Sequence, residues 1–291
     1  MQDHPTARAS AGHLVKTELG RVPVVARDRC PACGAPSADA PANRYSSPPW
    51  AIRDCASCHF VYLDPVPRYE ALSETLAWDN SSAKETQRKK AARPVRAKAS
   101  KAAASRLRLR KPIDAATVLA RHAAPGNVID IGCSHGGRVN TLPETYVPYG
   151  IEIGAKAAAA AKKLMKRRKG RCVHAPALEG LKGFSDDFFT GAILRSYLEH
   201  EVHPAQVLAE LARTMAPGGV AVVKVPNYAS LNRRFTGKTW CGFRFPDHVN
   251  YFTPSSLRRM ALRAGFDTSY GWFGVLPFND NMWALLRRRP G

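Results

Sequence analysis

The rhythm of apolar residues changes near residue 127. From there, short β-branched runs alternate with longer stretches of helix formers, and residues 128–131, 149–153, 192–194 and 220–225 read as buried strands. Residues 154–169 and 204–215 between them, and 254–264 after them, read as helices. Such βαβα alternation predicts a parallel sheet covered on both faces. Two further strand-like runs, 269–275 and 282–286, are joined by only Leu276-Pro277-Phe278-Asn279-Asp280. That link is too short for a crossover helix and predicts an antiparallel hairpin at the sheet edge.

Upstream the pattern is weaker. Residues 1–27 read as a loose leader with one short strand at 22–26, and 28–64 contain paired cysteines. Residues 65–125 open on Asp64-Pro65-Val66-Pro67 and continue as an Ala-, Lys- and Arg-rich stretch. It predicts two or three helices interrupted near Pro94 and Pro112. The α/β domain then occupies 126–291.

Composition adds the charge. With 45% hydrophobic and 23% charged residues the 291-residue chain is globular rather than disordered, yet 44 Lys+Arg against 23 Asp+Glu give +21. Such a field favours anionic partners. It is concentrated: Lys84 to Lys111 contains 12 basic residues against the single acid Glu85, and a second cluster occupies 162–169. The first cluster would suit RNA phosphates, although a lysine- and arginine-rich helix face is also an ordinary solvated surface. No apolar run approaches the roughly 18 residues that cross a bilayer, and residues 1–20 hold no signal-peptide core. These features predict a cytoplasmic protein.

Cys30-Pro31-Ala32-Cys33 and Cys55-Ala56-Ser57-Cys58 are two C-x-x-C knuckles separated by 21 residues. Two thiolates from each tight turn can complete a tetrahedron around Zn2+, and a four-thiolate site has no open position, so its expected role is structural. Gly34 suits the knuckle turn, and His59 is a weaker substitute ligand. Cys133, Cys172 and Cys241 are scattered and read as structural.

Asp130-Ile131-Gly132-Cys133-Ser134-His135-Gly136-Gly137 follows a buried strand, is expected to lead into a helix whose N–H groups face a ligand, and precedes Glu152 at the end of the next strand. This is a nucleoside-binding layout. The loop resembles motif I, Asp-x-Gly-x-Gly-x-Gly, of class I S-adenosylmethionine-dependent methyltransferases, matched at Asp130, Gly132 and Gly136 with Ser134 replacing the middle glycine. Residues 211–219, ending Pro217-Gly218-Gly219, resemble the turn before that family's fifth strand. Leu198-Glu199-His200-Glu201-Val202-His203-Pro204 resembles the segment after the fourth strand in its ubiquinone-type and Methyltransferase_23-like branch. Phe60-Val61-Tyr62-Leu63-Asp64-Pro65 resembles the zinc-binding lead-in of some members. The resemblance covers residues 126–291 and implies a Rossmann-like doubly wound sheet with a C-terminal antiparallel hairpin. It also implies S-adenosylmethionine contacts at Asp130 for the methionine end, Glu152 for the ribose, and Gly132, Ser134 and Gly136 in the turn. Adenine contacts are expected from 173–178.

Methyl transfer is an in-line displacement that needs alignment, plus a base when the acceptor carries a proton. Open α/β sheets place ligands beyond the carboxyl ends of their strands, which selects two segments. The first holds Arg195, Tyr197 and His200; His200 is a candidate base and Tyr197 a pocket wall. The second follows Asn227 and contains Arg244, Asp247 and His248. Its Asp-His-x-x-Tyr-Phe run resembles a segment of zinc-bearing deoxysugar C-methyltransferases that carries a base histidine. The resemblance makes His248 the leading catalytic candidate, with Asp247 orienting it, Arg244 binding an anionic group and Asn227 bonding substrate. The alternative reading has Asp247 and His248 capping the next helix. The expected function is methyl transfer to a small-molecule or saccharide-type acceptor. An RNA methyltransferase using the basic connector and a catalytically silent zinc-ribbon interaction protein remain alternatives, and the acceptor atom and oligomeric state stay open.

Overall fold

The computed structural model describes residues 13–17, 20–68, 114–271 and 274–290. The connector helices expected around Pro94 and Pro112, and the Lys84–Lys111 cluster, lie outside these residues. In chain order the amino-terminal part forms β1 (His13–Thr17), β2 (Gly20–Val25), β3 (Ala51–Asp54), β4 (Val61–Asp64) and β5 (Val66–Pro67). The rest comprises α1 (Ala115–His122), β6 (Gly126–Ile131), β7 (Tyr146–Glu152), α2 (Ala155–Lys166), β8 (Arg171–His174), α3 (Ala177–Lys182), β9 (Phe189–Arg195), α4 (Pro204–Thr214) and β10 (Met215–Pro226). It ends with α5 (Leu231–Thr236), β11 (Asn250–Tyr251), α6 (Pro254–Arg263), β12 (Phe266–Ser269) and β13 (Asn281–Arg288).

Seven strands make the main sheet in the order β12-β13-β10-β9-β6-β7-β8. The pairs β6–β7, β7–β8, β6–β9 and β9–β10 are parallel, and β13 runs antiparallel to both β10 and β12. The expected α/β sheet is present, with one correction at its end. The penultimate strand is Phe266–Ser269, starting three residues earlier than expected; it forms the expected antiparallel edge pair with the final strand, which lies between it and β10. The linker explains this. Asn227 N–H donates to Asp280 O and Leu231 N–H to Pro277 O, which holds the linker over the end of β10 and sends β13 back along it.

Strand alternation feeds two core layers. Ile129, Ile131, Ala192, Leu194, Ala221 and Val223 pack with Leu181, Leu208, Leu211, Leu257 and Met260 from α3, α4 and α6. Val128, Ile193, Val220 and Val222 pack with Leu119, Ala161 and Met165 from α1 and α2.

The amino-terminal strands are built into this body. Residues 13–17 form β1 against β2, so this part of the expected leader is a hairpin, and β5 continues that sheet. A second small sheet has the order β11-β4-β3, its outer strand coming from the far side of the chain. On β4, Tyr62 faces the layer beneath the main sheet, while Val61 and Leu63 face a second cluster with Trp240, Phe243, Val249 and Tyr251.

Arg27 is buried at this seam. Its guanidinium donates to Val249 O, Asn250 Oδ1 and Val202 O, and its N–H to Asp64 Oδ1 at 2.9 Å. Burial lowers its pKa to about 10, which leaves it charged at neutral pH. Removing a buried charged donor orphans its acceptors. Arg27→Met is therefore expected to cost about 3 kcal/mol, read as a fall in Tm of roughly 6–12 °C, and an unchanged melting curve would refute the clamp.

Candidate active site and metal centre

The four knuckle cysteines converge. Their ligand atoms lie within 4.8 Å of one another, with Cys30 Sγ 3.7 Å from Cys58 Sγ and Cys33 Sγ 3.6 Å from Cys55 Sγ. A zinc–sulfur bond of about 2.3 Å gives a tetrahedral edge of about 3.8 Å, so donor type and spacing fit Zn2+. Each knuckle closes with a main-chain bond, Gly34 N–H to Cys30 O and His59 N–H to Cys55 O, and each closing residue has left-handed φ (76° and 56°). His59 therefore occupies the turn position matching Gly34, and its side chain is exposed outside the cluster. Within the cluster the Cys30–Cys58 hydrogen bond draws Cys58 down to about 5 and pushes Cys30 up, so one thiolate forms easily. Arg259 donates to Cys58 O and Arg263 to Ala32 O, tying both knuckles to α6.

The glycine loop leaves β6 at the centre of the main sheet. Gly132 has φ 69°, and a Cβ there would lie 2.8 Å from Tyr197 Cδ2, so the tyrosine ring covers this turn. Ser134 adopts φ 49° and preserves the left-handed turn despite its side chain, while Gly136 packs on Ala161 and Met165. The expected helix after the loop is absent. Residues 132–145 contain only a 3-10 turn at Val139–Thr141: the glycine turn takes up the first part of the crossover, and Pro143, which has no N–H to donate, stands where a helix would continue. The loop's anion is instead internal: Glu152 accepts Ser134 N–H and Gly154 N–H, both at 2.8 Å. A carboxylate has about four acceptor sites, so capacity for ribose hydroxyls remains.

Asp130 is fully buried. Its Oδ2 pairs with Arg138 at 2.9 Å, and its Oδ1 has no hydrogen-bond partner among the described residues. Burial raises its pKa to about 7, against the pull of Arg138. Arg138 was not among the residues expected here. The scattered cysteines also gain a location: Cys133 and Cys172 meet beneath the loop at 3.7 Å, whereas Cys241 is exposed. In the 173–178 stretch, His174 Nε2 lies 3.0 Å from Ile153 O.

The acceptor-side candidates gather beyond β9 and β10. Tyr197 OH donates to Glu201 Oε2, and Glu201 Oε1 accepts His203 N–H at 2.8 Å. The His200 and His248 rings are nearly perpendicular (82°) with centroids 4.8 Å apart. His200 Nδ1 lies 2.8 Å from Asp247 O, and His248 Nδ1 lies 2.8 Å from Gly242 O. The imidazole of His248 is thus oriented by a main-chain carbonyl. The Asp247 carboxylate pairs with Arg244 at 2.7 Å, which corrects the expected Asp247–His248 arrangement. Helix α6 is capped by Thr253 and Ser256, not by Asp247 or His248. Asn227 Oδ1 accepts Ala229 N–H and braces the turn after β10. The residue that sequence reasoning missed is Glu199, visible only as the acid preceding His200. Its carboxylate is buried, Oε2 has no partner among the described residues, and burial raises its pKa.

Residues 101–269 match the family model described as a methyltransferase domain. An uncharacterized 37.1 kDa protein of transposon TN4556 from Streptomyces fradiae is 29% identical over 157 residues, 50% of this chain and 44% of that protein. The chain thus spans under half the length of that curated relative. Among solved structures, a SAM-dependent methyltransferase from Methanosarcina mazei superposes with TM-score 0.47 at 15% identity, covering 60% of this chain and 98% of the other. One from Thermotoga maritima, described as a possible histamine N-methyltransferase, gives 0.45 at 16%, covering 60% and 90%. Among the described residues no helix is long and apolar enough to cross a membrane.

If the knuckles hold Zn2+, stripping it with 1,10-phenanthroline should release four titratable thiols together with a lowered Tm, and Cys33→Ser should lower Tm similarly. Thiols that react fully before chelation would overturn the assignment.

Proposed function

The chain belongs to the methyltransferase-domain family, whose methyl donor is S-adenosylmethionine, and we propose that it methylates a small-molecule or saccharide-type acceptor held between the ends of β9 and β10. The observation that carries this reading is the convergence of Glu199, His200 and His248 beside Tyr197, whose ring also covers the glycine loop. One short segment, 197–200, thus covers the donor loop and supplies two members of the trio.

Asp130, Gly132, Ser134, Gly136 and Glu152 are the residues that would hold the donor, and the orphaned Asp130 oxygen fits its cationic methionine end. When bound, the donor supplies a methyl group on a positively charged sulfur. The rest of the work falls to the protein. Asp130 and Glu152 position the two ends of the cofactor, and Tyr197 separates the loop from bulk water. The main-chain carbonyls of Asp247 and Gly242 hold Nδ1–H of His200 and His248, which places each ring's lone pair on Nε2 to draw the acceptor proton. The ribbon's zinc, in this proposal, is structural and stiffens the acceptor wall through α6.

His248→Ala should leave cofactor affinity within about twofold while turnover falls at least about 100-fold on any acceptor the wild type methylates. Unchanged turnover would sink the assignment. A second expectation follows from Asp130. With its carboxyl near 7, it is largely protonated at pH 6 and ionised at pH 8, and the ionised form favours a cationic ligand. Cofactor affinity by calorimetry should therefore rise with pH from 6 to 8, by up to about tenfold, and Asp130→Asn should bind weakly with a flat profile. A wild-type profile as flat as the variant's would refute it.

A further inference from the structure

Glu199, His200 and His248 place a carboxylate oxygen and two imidazole nitrogens within 4.8 Å of one another. A tetrahedral site with bonds of about 2.0–2.1 Å has edges of about 3.4 Å, so the trio would draw in from its present spacing to grip an ion. The backbone joins its two halves: Glu199 O accepts both Val249 N–H and Asn250 N–H, fixing the residue after His248 to the residue before His200.

Two independent features point to a cation. Both Nδ1 atoms are held by backbone carbonyls at 2.8 Å, the outer support that metal-binding histidines require, and this fixes Nε2 as the ligating atom. Glu199 Oε2 is fully buried and orphaned among the described residues, and a cation would supply what no donor does. Two nitrogens and one oxygen suit a divalent transition ion such as Zn2+, Fe2+, Mn2+ or Co2+. Unlike the closed four-thiolate site, three protein ligands leave a position open.

We propose that Glu199, His200 and His248 form a second metal site, for a divalent transition cation whose open position binds a hydroxyl oxygen of the acceptor. The site itself stands on the trio's geometry; the identity of its fourth ligand rests on the methyl-transfer reading. With the ion bound, both imidazoles serve as ligands and give up the base role described above; the cation instead lowers the pKa of the acceptor hydroxyl so that its proton leaves to water. The acceptor oxygen then forms the new C–O bond while the sulfur–methyl bond breaks with its electron pair returning to sulfur. Charge balances: a sulfonium and an alcohol yield a thioether, an ether and one proton.

The full chain, equilibrated with micromolar Co2+ and dialysed, should retain two metal ions per chain by elemental analysis. Cobalt in the ribbon is recognised by an intense thiolate-to-cobalt band, and the second site by weak d–d bands without it. Glu199→Gln, nearly isosteric, and His200→Asn should each retain one ion and still unfold in a single cooperative transition, whereas Cys33→Ser should lose the thiolate band and keep the second ion. One ion in the wild type, or two in Glu199→Gln, would overturn the site. Because stoichiometry is read without turnover, two ions in the wild type together with full turnover in a one-ion His248→Ala would leave the metal site standing and sink the acceptor reading instead.

Discussion

The two-residue strand Asn250–Tyr251 is the joint on which the rest of the molecule depends. On one side it pairs with Val61 and Tyr62 of the small sheet; on the other, the main chain entering it bonds to Glu199 O at the end of the central parallel strands. The Asn250 side chain fills the gap between them, donating to Leu198 O and Glu201 O while accepting from Arg27. A buried polar network of this kind rigidifies when every member is satisfied. Here it fixes His248, two residues earlier, against Glu199 and His200. Without the joint, the histidine-bearing segment would be a long surface loop with no defined relation to the sheet.

The knuckles extend this constraint. Arginines on α6 hold their carbonyls, Phe60 packs on Phe252 with centroids 5.2 Å apart, and α6 begins immediately after the joint. A metal bound to the thiolates would therefore restrain the same segment from its other end. Part of the +21 has a structural explanation in the same terms. Arg168 donates to the carbonyls of Asn140, Leu142, Pro143 and Tyr146, satisfying a crossover with no α-helix to do so. Arg213 does likewise for Phe184, and Arg288 for Ala212. Arginine's planar fork suits such sites as a lysine ammonium does not.

What could be read from the chain follows from how much side-chain pattern each element carries. The five parallel strands include four with β-branched runs that announce themselves. The fifth, β8, buries only Cys172 of Arg171–His174, and so gave no signal. β1 has only five residues, and β12 carries a single buried aromatic at Phe266. The knuckles and Asp130, Gly132 and Glu152 were legible because residue type and spacing alone define them. His200 and His248 were legible as residues, but their relation was not: it is set by main-chain carbonyls of Gly242 and Asp247, whose directions leave no trace in residue identity. The same limit hid Glu199, whose importance lies in an absent partner.

Two buried carboxylates lie near the carboxyl ends of neighbouring parallel strands. Asp130 lies near the end of β6, Glu199 just beyond the end of β9, and these strands are paired neighbours in the sheet. Each keeps one oxygen without a donor among the described residues, and burial raises the pKa of both. A buried acceptor left unsatisfied costs about 1–3 kcal/mol, so the fold holds two such costs a few residues apart on adjacent strands. In the proposed reading something cationic completes each carboxylate: the methionine end of the donor at Asp130, and an ion gripping the acceptor at Glu199. Donor and acceptor binding would then each relieve one of these costs, and the pairing of β6 with β9 sets the two side by side.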